Sequence, residues 1–299
     1  LEMKGWPKND ANIILYVEVV LMVLFLTMNG ADLWIQQNSP ELNYISAGSF
    51  PISQYLLPLF DGLSSNVVFI IERSAWWLHI IGILCFLNYL YYSKHLHILL
   101  ASPNTYFANL NAKGKFSNLK SVTNEVKMML DPSIDPYSNA SSVEVSKFGA
   151  SDVFDLSKIQ LLNAYTCTEC GRCTSECPAN QTGKKLSPRK IMMDTRDRVE
   201  AVGRNIDTNK GEFKPDGKEL LSDYISKEEL WACTSCNACV EACPIGIDPL
   251  SIIMDMRRYL VMEKSDAPSE LNNMMSNIEN NGAPWPFNQM DKLNWKNEI

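Results

Sequence analysis

Eight cysteines set in two copies of one pattern constrain this chain more than any other feature. "CTECGRCTSECP" runs from Cys167 to Pro178 and "CTSCNACVEACP" from Cys233 to Pro244, each reading C-x2-C-x2-C-x3-C-P. Two-residue gaps let a loop curl so that three thiolates reach three iron corners of one cube. The three-residue gap turns the fourth sulfur away, toward a second cube. The proline stops the local turn and removes a backbone N–H. The pattern predicts two 4Fe-4S clusters, one held by Cys167, Cys170, Cys173 and Cys243 and the other by Cys233, Cys236, Cys239 and Cys177.

Other uses of cysteine fit less well. Zinc takes four ligands per ion and gives no reason for a third cysteine at the same interval followed by Cys-Pro. Disulfides suit an exported domain, whereas the flanking charges place this one in the reducing cytoplasm. The ninth cysteine, Cys85, reads as a small core residue. The repeat continues past the cysteines as "SPRKIMMDTR" from Ser187 and "DPLSIIMDMR" from Asp248. Each begins with a Ser or Asp cap and a proline at the first helical position. "SKEELW" from Ser226 reads as a capping box with Glu229. Each half is therefore a cluster loop leading into a helix, and a pseudo-twofold axis is expected to relate the halves. No strand-like alternation surrounds them, so the fold class is mainly α: transmembrane helices followed by an alpha-helical dicluster ferredoxin domain.

Apolar residues make up 46% of the 299 and gather toward the N-terminus. "ANIILYVEVVLMVLFLTMNG", residues 11–30, has one ionisable side chain over a length matching the roughly 20 residues a spanning helix needs. A second spanning helix is expected over about 66–100, with Trp76, Trp77, Tyr89, Tyr91 and Tyr92 toward the ends of its apolar part. Lys4 and Lys8 precede the first segment, Lys94, Lys113, Lys115 and Lys120 follow the second, and residues 31–66 contain no Lys or Arg. Both outer flanks then face the cytoplasm. The connection holds an apolar piece, "ISQYLLPLF", that sequence alone does not place. A start at Leu1 rather than Met predicts an N-terminally incomplete chain. The net charge of −7 argues against nucleic acid as a partner.

All three histidines, His79, His95 and His97, lie on or just after the second apolar segment. On one continuous helix, the interval from His79 to His97 is five whole turns, about 27 Å of rise, with both side chains on one face. Such a pair suits axial ligation of two b-type haems, one near each membrane face. The competing reading makes His79 a polar residue satisfied by a neighbouring helix and "SKHLH" a headgroup-contacting cluster. Glu18, inside the first span, is a candidate proton or quinone site or an interhelical hydrogen-bonding residue.

The dicluster region, together with "WWLHIIGILCFLNYLYYSKHLHILLASPNTYF" (76–107), resembles membrane-bound relatives of the heterodisulfide reductase C subunit over about residues 64–265. In these, a nitrate-reductase-gamma-like haem b membrane domain is fused to an alpha-helical ferredoxin domain. The resemblance implies that His79 and His97 each ligate one haem b. The family's other two haem ligands lie on an earlier helix that has no match here. Many relatives continue into cysteine-rich CCG modules carrying the catalytic cluster; this chain has no adjacent cysteine pair, which implies a catalytic module on a separate protein.

The expected layout is a membrane domain over 1–107, a turn-rich linker over 108–157, the dicluster domain over 158–265 and an extended tail over 266–299. No catalytic acid–base pair or nucleophile stands out. The expected role is electron transfer in a membrane-bound oxidoreductase of a bacterial or archaeal cytoplasmic membrane, with the clusters on the cytoplasmic side. Expected partners are membrane lipid, a cytoplasmic CCG-type or flavoprotein redox subunit, and menaquinone or another quinone. The alternative is a membrane-anchored iron–sulfur scaffold or redox sensor without haem.

Overall fold

The computed structural model describes residues 6–46, 48–112, 114–130 and 147–297; the linker motif "DPSIDPYSNASS" falls outside them. Among the described residues the chain is mainly helical, with no β-strand. It divides into two compact units, Leu1–Pro103 with Thr166–Gly171, and Asn104–Tyr165 with Arg172–Ile299.

Two long helices, α1 (Trp6–Asn38) and α2 (Ser65–Leu90), form an antiparallel hairpin in the first unit. Their apolar stretches have mean hydropathies of 2.2 and 1.6 and are long enough to cross a membrane. Leu15, Val20, Val23, Ile70, Trp77 and Leu84 all point outward. Outward apolar rows of this extent suit lipid rather than water. Gly82 allows the two helices to meet, since an added Cβ there would lie 2.7 Å from Leu21 Cδ2.

Polar ties close both ends of the hairpin. The buried Asp10 carboxylate accepts from Tyr89 Oη (2.5 Å), Ser93 Oγ (3.0 Å) and the Lys94 N–H (3.1 Å). At the far end, Ser39 Oγ donates to Ser65 Oγ at 2.7 Å, and the buried Glu72 accepts from Tyr44 Oη at 3.0 Å and Arg73 Nη2 at 2.7 Å. The apolar piece of the connection is a 3-10 turn, Ser53–Leu59, folded back against α1. Its Leu56 and Leu57 pack on a core of Ala31, Trp34, Ile35, Phe60 and Val68.

The second apolar helix is shorter than expected. It ends at Leu90, and a turn, a 3-10 segment (Lys94–Leu96) and α3 (His97–Tyr106) follow. Ser93 causes the break: its hydroxyl accepts from the His95 N–H while donating to Asp10. Cys85, expected in a core, is exposed on α2.

The second unit holds α4 (Lys120–Leu130) and most of α5 (Lys158–Thr166), followed by α6 (Arg172–Ser175), α7 (Pro178–Gln181), α8 (Pro188–Thr208), α9 (Lys227–Ala232), α10 (Ala238–Glu241), α11 (Pro249–Met262) and α12 (Ser269–Asn281). α8 and α11 pack together, burying Ile191, Met192, Leu250, Ile252, Ile253 and Met256. Gly149 brings the incoming chain onto α11 with φ of +80°; a Cβ there would sit 2.2 Å from the Asp255 carbonyl oxygen. Ala150 N–H donates to that same oxygen at 3.0 Å.

Arg198 of α8 is wholly buried. Its guanidinium donates to Asp152 (2.9 and 2.7 Å), to Asp216 (2.5 Å) and to the Lys218 carbonyl (2.5 Å). Most of the polar stretch 203–219 that follows α8 is exposed or half-exposed, and Leu220 and Leu221 beyond it are buried. The tail also differs from the extended chain expected: it contains α12 and a 3-10 segment, Gln289–Asn297, and leaves Trp285 and Trp295 exposed.

Removing one partner of a buried ion pair strands the other charge. Arg198→Met is therefore expected to cost about 3–5 kcal/mol in urea unfolding. Arg198 holds the Asp216 carboxyl below the usual carboxylate range, outweighing its slight desolvation. A depressed folded value gives stability that is complete above the unfolded Asp value, about 4, and is lost as pH falls through the lower folded one. The stability gap between wild type and Asp216→Asn should narrow accordingly in acid, and a pH-independent gap would contradict this assignment.

Candidate iron–sulfur site

The two cysteine runs are one local structure written twice, 66 residues apart. Glu169 and Gly171 in the first run have φ of 60° and 80°; their counterparts Ser235 and Asn237 have 56° and 61°. Left-handed residues at matching places curl the two C-x2-C gaps identically. Each run then enters a single helical turn, α6 or α10, and the last cysteine N–H of each bonds back three residues, Cys177 to Thr174 O and Cys243 to Val240 O, both at 3.2 Å. α6 packs against α10, α6 against α8, and α10 against α11. The expected caps are present: Ser187 Oγ accepts from Lys190 N, Asp248 from Ser251 N, and Ser226 with Glu229 closes a capping box.

None of the eight motif cysteines forms a disulfide. Cys173, Cys177, Cys233, Cys236, Cys239 and Cys243 lie in the second unit, while Cys167 and Cys170 group with the first. Within the second unit, Cys233 interacts electrostatically with Cys177 and Cys236, and Cys239 with Cys233 and Cys173. Burial pushes the Cys239 thiol up to about 12, reinforced by those neighbours. Burial also raises Cys233, opposed by a hydrogen bond from Ser235 N–H and by the Arg257 cation. Ser235 N–H donates to Cys233 Sγ and Ile247 N–H to Cys243 Sγ, both at 3.4 Å.

These thiols fit a group that takes one thiolate per metal. A single zinc gathers its sulfurs to about 2.3 Å from one point, and among the described residues no three His, Cys, Asp or Glu side chains converge in that way. A 4Fe-4S cube binds one thiolate at each of its corners and accepts N–H donors at sulfur. Thiols that interact without converging, with backbone donors aimed at two of them, match that requirement.

The histidines are arranged otherwise than one continuous helix would have them. His79 is on α2 and His97 opens α3, so the five-turn register does not apply. His79 Nδ1 lies 3.0 Å from Leu21 O and His97 Nδ1 lies 2.8 Å from Lys94 O. His95 Nε2 lies 3.8 Å from Glu18 Oε1, and its ring is edge-on to that of His97.

Two residues near the cysteines escaped the sequence reading. Asn104 is buried and its Nδ2 donates to Ile245 O at 2.9 Å, just past Cys243-Pro244, while its Oδ1 has no partner. Arg257 binds the second cysteine loop. The shared arginine of the two helix motifs marked its position but not its target.

Residues 166–247 match the family described as the 4Fe-4S dicluster domain. The chain thus carries a match to the 4Fe-4S dicluster domain and is similar to iron–sulfur oxidoreductases. Over 93% of its length it is 30% identical to the probable iron-sulfur-binding oxidoreductase FadF of Bacillus subtilis. Over 97% it is 26% identical to an EtfAB:quinone oxidoreductase of Syntrophomonas wolfei. It spans 40% of the length of each of these two proteins. Over 38% of its length it is 34% identical to the C subunit of a ferredoxin/F(420)H(2)-dependent CoB-CoM heterodisulfide reductase of Methanosarcina acetivorans, covering 55% of that protein. No solved structure matches the chain.

The left-handed residue Asn237 offers a test of the loop geometry. Asn237→Gly should leave iron retention unchanged, whereas Asn237→Val, β-branched at φ of 61°, should cost about 1–2 kcal/mol and lower the iron-to-protein ratio.

Proposed function

We propose that the chain is an electron-transfer subunit of a membrane-bound oxidoreductase. In this reading Cys167, Cys170, Cys173 and Cys243 hold one 4Fe-4S cluster, and Cys233, Cys236, Cys239 and Cys177 hold the other. The observation that carries it is the duplication of the loop, with left-handed residues and helical turns at equivalent places. The placement of Cys177 beside Cys233 supports the exchange of fourth ligands between the runs. Bound clusters would supply one-electron carriers; the chain's own residues fix the sulfurs, bury them and aim N–H groups at them.

The hairpin of α1 and α2 supports a bilayer anchor, and the lysine-bearing flanks support a cytoplasmic cluster domain. A b-type haem is part of the proposal, with His79 and His97 as axial ligands from this chain. Each ring has Nδ1 against a backbone carbonyl, the orientation that leaves Nε2 for a metal. The opposite ligands would come from residues outside this sequence. A quinone and a cytoplasmic redox partner complete the proposed route; the names of the Syntrophomonas and Methanosarcina relatives support partners of these kinds. The haem-free scaffold or sensor remains the second reading, favoured by the break in the helix between the two histidines.

Anaerobically purified protein should contain two cubes' worth of iron and acid-labile sulfide per chain; zinc, or one cube's worth, would overturn the cluster assignment. Cys177→Ala should damage the same cluster signal as Cys236→Ala and spare the one lost in Cys170→Ala. Sharp reduced-haem absorption bands that disappear in His79→Ala and His97→Ala would separate the haem reading from the haem-free one.

A further inference from the structure

Arg257 of α11 grips the second cysteine loop from three directions. Its Nε and Nη2 donate to Leu230 O at 3.0 and 2.5 Å, Nη2 also to Cys233 O at 2.5 Å, and Nη1 to Ser235 Oγ at 3.2 Å. The guanidinium carbon lies 4.9 Å from the centre of the Trp231 ring. Ser235, held through its hydroxyl, is the left-handed residue whose N–H donates to Cys233 Sγ. The cation is half-buried and interacts electrostatically with Cys233.

We propose that Arg257 is a positioning residue that raises the reduction potential of the cluster assigned to Cys177, Cys233, Cys236 and Cys239. Reduction adds one electron to a thiolate-ligated group that already carries negative charge. A fixed cation beside one ligand, partly withdrawn from water, stabilises the reduced form more than the oxidised one. The same guanidinium holds the turn that aims an N–H at that sulfur, and loss of such a donor also lowers the potential. Arginine suits the task because its planar fork reaches several carbonyls while its charge persists at every physiological pH.

This inference rests on the dicluster reading, and the two fail differently. Wild-type protein must first show eight irons and two one-electron reduction steps; without these the cluster assignment itself is lost, before any variant is made. EPR-monitored redox titration and iron analysis of the full chain then compare Arg257→Gln with Arg257→Lys. The expected result is one midpoint shifted to more negative potential in Arg257→Gln, the other unmoved, and both near wild type in Arg257→Lys. Loss of four irons from Arg257→Gln would show Arg257 retaining the cluster rather than setting its potential, and would overturn the proposal. Unmoved midpoints in an iron-replete Arg257→Gln, equal shifts of both midpoints, or iron loss from both variants would overturn it.

Discussion

Thiols buried close together resist ionisation, since a thiolate loses water and gains a like-charged neighbour at once. The second unit is organised around this difficulty. Cys239 is raised by burial and by Cys233 and Cys173, and Cys233 by burial with Cys177 and Cys236 close by. Opposing influences are built into the same loop at Cys233: the Ser235 N–H and the Arg257 cation. An iron–sulfur cube would resolve the remaining conflict by giving each sulfur its own metal, a group around which the packing of α6 on α10 makes chemical sense.

The loops hold this arrangement by local means and the surrounding helices by distant ones. Left-handed backbone at Gly171 and Asn237 follows from residue choice, while Ser235 is in addition held by Arg257. The helices behind the loops are fixed by contacts far apart in sequence. Gln160 Nε2 donates to Asp255 at 2.7 Å, and Lys190 Nζ pairs with Glu229 at 2.9 Å. Arg198 ties Asp152 to Asp216. The capping box at Ser226 and Glu229 thereby serves twice, starting α9 and receiving Lys190 from α8.

What was legible in the residues alone follows the same division. The mainly helical class, the two apolar helices, the Ser187, Ser226 and Asp248 caps and the doubled cysteine loop all rest on short-range rules, and the structure has them. The misreadings depended on distant partners. Hydropathy continues past Leu90, and only Asp10, some eighty residues earlier in the chain, reveals why the chain turns at Ser93 after the helix ends. Arg257 was visible as a repeated letter while its carbonyl targets were not.

The ties at the two ends of the helical hairpin also act as a gauge. Asp10 and Ser39 are separated by 29 residues of nearly continuous α-helix, or about 43 Å of rise, close to the roughly 40–45 Å thickness of a bilayer with its headgroups. In a bilayer, an upright hairpin would keep the carboxylate and serine ties in hydrated zones and offer mostly oily side chains, with Glu18 an exception, to the acyl layer. A markedly thinner sheet of lipid would force the pair to lean, and a thicker one would draw ionised groups toward the hydrocarbon.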